Sequence, residues 1–392
     1  MSDYLAAARE RVVIYDGASG TSLQAAELGP DDFGGPDLEG CNEVLVVTRP
    51  DVAARIHAEF LEVGADVVET HTFGAFGVVL GEYGIAERAH ELNLAAARLA
   101  REVASGYSTP DRPRWVAGSM GPGTKLPSLG QISFRELRDQ YELQARALIE
   151  GGVDLLLVET QYDLLAAKAG VIACRRAMAA VGRTVPVQVQ VTMETTGRML
   201  VGSEIGAALT SLAALRPDVI GMNCATGPRE MREHLRHLSQ HSPLPISCLP
   251  NAGLPSVVDG RTHYDLTPDE LADFHASFIS ELGVSIVGGC CGTTPEHIRR
   301  VVERCADLTP ARRDPVVEPA ASSIYSSVPF RQETSFLMIG ERTNANGSKA
   351  FRDAMLSEDW EACERVARDQ IREGAHMLDL CVDYTGADGV AD

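Results

Sequence analysis

Along the first three hundred or so residues one pattern recurs: a short apolar β-rich run, a polar or glycine-rich loop, then an amphipathic stretch of helical period. The apolar runs are Val12 to Tyr15, Asp66 to Glu69, Trp115 to Gly118, Asp154 to Val158, Val185 to Val191, Val219 to Met222, Leu244 to Leu249 and Val284 to Val287. Each is nearly continuously apolar instead of alternating, the pattern of parallel strands covered on both faces. Helical stretches lie between them. Pro50 to Val63 carries Val52, Ile56, Phe60 and Val63 on one stripe, and Ser133 to Gly151 opens on a capping serine and ends at a glycine pair. Eight strand-helix units in about 300 residues predict a (β/α)8 TIM barrel, slightly longer than the usual ~250. A doubly wound sheet is the rival. Asp16-Gly17-Ala18-Ser19-Gly20-Thr21, which follows the first run, lacks the glycine spacing of a dinucleotide fingerprint.

After that the texture changes. Pro310, Pro315, Pro319 and Pro329, with the serine-rich Ser322 to Ser327, predict an extended linker over residues 309–334. The pattern then restarts, with a strand at Ser335 to Ile339, a helix from about Trp360 to Glu373 and a strand at Met377 to Leu380. One such unit is not a domain. The expected division is therefore a barrel over 1–308, a linker over 309–334 and a truncated second α/β barrel over 335–392.

Composition narrows the partners. With 45% hydrophobic residues the chain can bury a substantial core, and 35 basic against 55 acidic residues leave a net charge of −20. That balance, with no basic stripe interleaved with aromatics, argues against nucleic acid and an anionic membrane. A small ligand, or a basic patch on another protein, is expected instead. The opening MSDYLAAARE has no basic segment followed by an apolar one, and no run of about 18 apolar residues occurs, so a cytoplasmic protein is expected. There, nine cysteines point to metal or thiol chemistry wherever they cluster.

Candidate chemistry follows from the barrel, whose active site is built at the carboxyl ends of its strands. Just past the runs stand Asp16-Gly17, Glu69-Thr70-His71-Thr72, Ser119, Glu159-Thr160, Thr192-Met193-Glu194, Asn223-Cys224, Asn251 and Cys290-Cys291. Cys224 and the Cys290-Cys291 pair would meet at one mouth. Three thiolates without a fourth protein ligand suggest a catalytic zinc site, because one position stays open and soft thiolates favour Zn²⁺ over Mg²⁺ or Ca²⁺. Cys174, Cys248, Cys305 and Cys363 each stand alone in apolar or helical runs and read as small hydrophobes. Glu159, ending an apolar run, should meet a cation, for which a ligand ammonium would serve. Asp16 before a glycine also suits an Asx-turn, and His71 on a loop reads equally well as a surface residue.

Taken together, Asp16-Gly17-Ala18 with Gly20-Thr21, Glu69-Thr70-His71-Thr72-Phe73, Glu159-Thr160 with Asp163, Gly221-Met222-Asn223-Cys224 and Gly288-Gly289-Cys290-Cys291-Gly292-Thr293-Thr294-Pro295 resemble the homocysteine S-methyltransferase family over residues 10–305. Ile339-Gly340-Glu341-Arg342-Thr343-Asn344 and Gly347-Ser348-Lys349 resemble the start of a methyltetrahydrofolate-binding barrel. That order resembles the amino-terminal part of the cobalamin-dependent branch of such enzymes. The resemblance implies zinc on Cys224, Cys290 and Cys291, with the homocysteine sulfur in the open position. It implies Asp16 and Glu159 on the substrate ammonium, the amides of Gly17, Ala18 and Ser19 near its carboxylate, and Thr70 and Asn223 among the substrate contacts. The methyl donor implied is methylcobalamin, from a corrinoid-bearing protein or domain absent from this chain, with 5-methyltetrahydrofolate a partner only in a complete enzyme. A single-barrel enzyme using S-methylmethionine or a betaine, or a homocysteine-binding remnant without turnover, are the alternatives. Two residues depart from the family pattern. His71 replaces a usual Asn, and Cys381 stands where many folate barrels have Asn after Asp379.

Overall fold

Continuous apolar runs form strands that can be buried on both sides, and here they pair in parallel into one ring. Seven of them are β1 (Val13–Ile14), β2 (Val67–Glu69), β3 (Trp115–Met120), β4 (Leu155–Gln161), β5 (Val187–Val191), β6 (Val219–Asn223) and β7 (Ile246–Leu249). An antiparallel hairpin of β8 (Pro255–Val258) and β9 (Arg261–Tyr264) intervenes before the eighth barrel strand, β10 (Ile286–Val287). The order runs from β2 to β7 in sequence, then β10 and β1. The ring closes where Asp66 N donates to Ile14 O at 2.7 Å and Asp16 N to Val67 O at 3.0 Å. The computed structural model describes residues 4–258, 261–386 and 388. The chain divides into two compact units, Met1–Val317 and Glu318–Asp392.

Alternation along the strands splits the core. Val13, Tyr15, Trp115, Ala117, Leu155 and Leu157 pack together in one cluster. Their neighbours Val12, Ile14, Val116, Leu156 and Val158 pack in a second cluster with the apolar faces of the helices. Both faces of each strand are thus covered, and even the alternating glutamines of β5, Gln188 and Gln190, are buried. The amino-terminal helix Tyr4–Glu10 joins the inner cluster near the strand beginnings. Tyr4 Oη donates to Gln188 Oε1 at 2.7 Å and shares a 2.9 Å bond with Tyr15 Oη. Outer helices have defined ends. Ser133 Oγ accepts from Glu136 N to start Phe134–Gly151, and Gly152, at φ +97°, stops it. Among the described residues no helix is long and apolar enough to cross a membrane.

Strands β3 and β4 run past the expected Gly118 and Val158: polar Ser119 stays in the ladder, and β4 continues to Gln161 across an irregularity at Glu159 and Thr160. Cys174, Cys248 and Cys305 are fully buried, as read. In the second unit, β11 (Ala320–Ser322) and β12 (Ser327–Pro329) form a hairpin inside the proline-rich stretch, and β13 (Ile339–Asn344) pairs in parallel with β14 (Met377–Cys381). The strand expected at Ser335 to Ile339 begins only at Ile339. The ladder sets Ile339 against Met377 and Asn344 against Cys381, and Phe336 before it is 92% exposed.

Asp66, at the seam, holds the amino ends of three strands. Its carboxylate accepts from Ile14 N at 3.1 Å, Arg11 Nη1 at 2.8 Å and Arg114 Nη1 at 3.3 Å. Arg114 is buried and keeps the Ala65 carbonyl at 2.6 Å as a second acceptor. Replacing Asp66 by Asn should therefore lower unfolding stability by about 3 kcal/mol, the lower end for breaking a buried ion pair. Urea denaturation checks this, and a midpoint unchanged from the parent would contradict it.

Candidate active site

The carboxyl ends of the strands open into a cavity of about 390 Å³. Its thiol wall is built by three strand ends lashed together. Cys224 N donates to Leu249 O at 3.2 Å, Cys290 N to Pro250 O at 2.8 Å, and Ala252 N to Cys291 O at 2.9 Å. Cys224 and Ala225 both take left-handed backbone angles, φ +61° and +57°, uncommon for non-glycine residues. The result brings Cys224, Cys290 and Cys291 sulfurs within 4.8 Å of one another, with 3.8 Å between Cys224 and Cys291. Sulfurs bonded at ~2.3 Å to one tetrahedral ion lie about 3.8 Å apart, so the set could hold a soft divalent cation. Asn251, between those lashings, has a buried Oδ1 with no partner among the described residues. Contact with the Cys224 and Cys290 thiols pulls the Cys291 thiol far below the usual range, while the same contact pushes Cys290 up.

Two glycines admit this packing. A Cβ at Gly289 would sit 2.3 Å from Thr293 Oγ1, and one at Gly292 (φ +80°) would sit 2.4 Å from the Tyr264 ring. Tyr264, carried in by the β8–β9 hairpin, also helps draw the Cys291 thiol down.

Opposite the thiols is an acidic floor. Glu159 sits at an irregularity in β4, where Thr160 adopts φ +54°. Its Oε1 accepts from Ser119 Oγ at 2.5 Å and its Oε2 from Asn223 Nδ2 at 3.0 Å. Asn223 Oδ1 in turn accepts from Thr160 N at 2.7 Å. Asp16 takes Glu69 N on Oδ2 at 3.0 Å and leaves Oδ1 buried without a partner. Burial raises the carboxyl of Asp16 well above its ordinary range, with the charge of Glu159 adding to it. Glu69 is likewise raised well above, by burial and then by Glu159 and Asp16, and burial pushes Glu159 to about 7. Among the residues described as lining the cavity there is no lysine or arginine. Glu43, Glu69 and Glu159 line the cavity and Asp16 accepts from the Glu69 amide, an acidic balance that suits a ligand cation.

Of the residues singled out in the sequence, Gly17, Ala18, Ser19, Thr70, Glu159, Asn223, Cys224, Cys290 and Cys291 line the cavity, whereas Asp16, Thr192, Met193, Glu194 and Asn251 are not among its lining residues, and some that line it serve as framework. Gly17, Ala18 and Ser19 line the cavity, yet Ala18 N already donates to Thr293 O at 3.3 Å and Oγ1 at 3.2 Å. Thr70 lines it too, while its hydroxyl bonds Thr72 Oγ1 at 2.6 Å and accepts from Ser119 N at 3.0 Å. Asn223 faces Glu159. One residue, Tyr264, escaped the sequence reading, and Glu69 and His71 stand at the strand ends without an assigned role in it. Glu69 stands at a strand end as Glu159 does, Tyr264 arrives on an unexpected hairpin, and His71, read as equally suited to the surface, lines the cavity at 8% exposure.

Comparison with known proteins assigns this barrel to a family. The sequence model of the homocysteine S-methyltransferase family matches residues 13–305, and the chain belongs to that family. It is 55% identical over 391 residues to methionine synthase of Mycobacterium tuberculosis and 56% identical over 396 residues to that of Mycobacterium leprae. Both comparisons cover all of this chain and 33% of the relative, so the chain spans about a third of the length of the curated relatives it matches. Residues 340–392 match the pterin binding enzyme family. A homocysteine methyltransferase of Escherichia coli, solved in metallated form, shares the fold with a TM-score of 0.62 at 22% identity, covering 75% of this chain and 96% of that one.

Asn223 closes the bulge that aims Glu159, so Asn223→Ala should leave Thr160 N buried without an acceptor. A loss of about 2 kcal/mol in unfolding free energy is expected. Chemical denaturation measures it, and a variant as stable as the parent would show that the bulge needs no such support.

Proposed function

We propose that the chain is a zinc-dependent homocysteine S-methyltransferase module that receives a methyl group from methylcobalamin, supplied in a complete enzyme from 5-methyltetrahydrofolate, and forms methionine. The observation that carries this reading is the 3.8 Å separation of Cys224 and Cys291 within a three-sulfur cluster. In it, residues 1–308 form the homocysteine barrel, 309–334 the linker and 335–392 the start of a pterin-binding barrel. A cytoplasmic setting, which keeps thiols reduced, suits nine free cysteines.

Cys224, Cys290 and Cys291 would hold the metal. Zinc, when bound, supplies the charge that lets a thiol of ordinary pKa about 8.5 lose its proton and stay nucleophilic at neutral pH. The remaining work falls to the chain. Asp16 and Glu159 take the substrate ammonium, for which the floor offers acid groups and no competing cation. Ser119 and Asn223 fix the Glu159 carboxylate, so the sulfur is presented from a fixed direction. The Gly17, Ala18 and Ser19 turn faces the substrate carboxylate. The Tyr264 ring, packed on Gly292, screens the thiol wall from water. Neither carboxylate is needed as a base. S-methylmethionine or a betaine as donor would leave the pterin-family match over 340–392 without a role.

Two outcomes test the reading. Cys224→Ala should lose bound zinc by elemental analysis, together with methionine formation from homocysteine and added methylcobalamin. A variant retaining one zinc per chain would remove Cys224 from the ligand set. Glu159→Ala should keep its zinc but bind homocysteine about 3 kcal/mol more weakly, as when one partner of a buried charge pair is deleted. Titration calorimetry measures this. If 4-mercaptobutyrate, which lacks the amine, bound the parent as tightly as homocysteine does, the ammonium assignment would fail.

A further inference from the structure

His71 lines the cavity at 8% exposure, and neither of its ring nitrogens has a partner among the described residues. Its ring stacks on that of His57, with centroids 4.6 Å apart and planes inclined by 39°, and His57 Nδ1 is orphaned too. Burial lowers His71 to about 4 and His57 well below its usual value, so both rings are neutral at physiological pH. A neutral imidazole carries one N–H donor, and a buried donor is expected to find an acceptor. Both nitrogens are closed to solvent, so an acceptor would reach them only where a ligand seats directly against the ring that lines the cavity.

The neighbourhood says which acceptor. Glu69 N donates to Asp16 Oδ2 at 3.0 Å, which ties the end of β2, and with it His71, to the Gly17–Ser19 turn. Phe60, three residues beyond His57 on the helix Pro50–Glu62, lies under that turn, since a Cβ at Gly17 would come within 2.9 Å of Phe60 Cε1. An amino-acid substrate whose ammonium is held by the acids must place its carboxylate on neutral donors, because no lysine or arginine lines the cavity. The turn itself is one donor short, with Ala18 N committed to Thr293. A neutral imidazole is such a donor.

We propose that His71 is a specificity-determining residue that donates its ring N–H to the α-carboxylate of the amino-acid thiol, with His57 stacked against it to fix the ring. This rests on the homocysteine reading given above. The test uses the zinc-loaded full chain and its His71→Ala and His71→Asn variants, with calorimetric binding of L-homocysteine and of 3-aminopropane-1-thiol, the same molecule without its carboxylate. His71→Ala should bind L-homocysteine about tenfold or more weakly, the loss of a hydrogen bond to a charged group. Its zinc content, melting temperature and affinity for 3-aminopropane-1-thiol should match the parent, and His71→Asn, which keeps an N–H donor, should recover most of the loss. Equal weakening toward both thiols, or none toward homocysteine, would overturn the role of His71 alone. A zinc-loaded parent that bound neither thiol would overturn the homocysteine reading itself.

Discussion

Closure of the parallel ring is the constraint on which the rest of the molecule depends. Cys224 and Cys290 lie far apart in sequence, and Asp16 is further still from Glu159. They become neighbours because every strand runs the same way and so delivers its last residue to the same rim. The seam between β1 and β2, made by Asp66 N to Ile14 O and Asp16 N to Val67 O, converts a row of strand ends into a circle. Without it, Asp16 and Glu69 would stand on opposite edges of an open sheet. Asp66 serves the seam from beneath and Asp16 from above, so the same strand pair anchors the fold and one wall of the cavity.

Within the mouth, polar groups fall into two populations. Thr70, Thr72 and Thr293 spend their hydrogen bonds on one another or on backbone, Ser119 and Asn223 spend theirs on the Glu159 carboxylate as well, and the geometry of all five is finished before any ligand arrives. Asp16 Oδ1, Asn251 Oδ1 and both nitrogens of His71 remain unmatched among the described residues. Since buried polar atoms are almost always paired, these few are the places where the framework is unfinished. A rigid frame carrying a few open valences is what preorganised binding requires.

The barrel was legible because parallel strands buried on both faces write themselves as unbroken apolar runs, and the strand-end thiols stood out because adjacent cysteines between glycines do not belong to a core. Less visible were elements whose local signal is weak. Glu159 and Thr160 remain in β4 because Asn223, remote in sequence, accepts from the bulged amide. The β8–β9 hairpin carried a signature in Asp259-Gly260 between two β-prone runs, yet nothing local announced that it would bring Tyr264 to the thiols. His71 between two threonines reads like any loop histidine. Its burial comes from the helix bearing His57, a tertiary fact that no single-residue rule contains. In the second unit, Phe336-Leu337-Met338 looks like a strand, but the register with β14 selects the segment after it.

The acidic floor has a consequence for the empty protein. Raised carboxyl pKa values mean that folding disfavours the ionised forms of Asp16, Glu69 and Glu159 relative to the unfolded chain. A group raised in this way costs stability as pH climbs through its folded-state value, about 7 for Glu159. The ligand-free barrel is therefore under tension at neutral pH in the place where the ammonium site is proposed. An amide or an apolar residue in place of any one of the three acids would relieve that tension, the exchange between stability and binding that a buried acidic site carries.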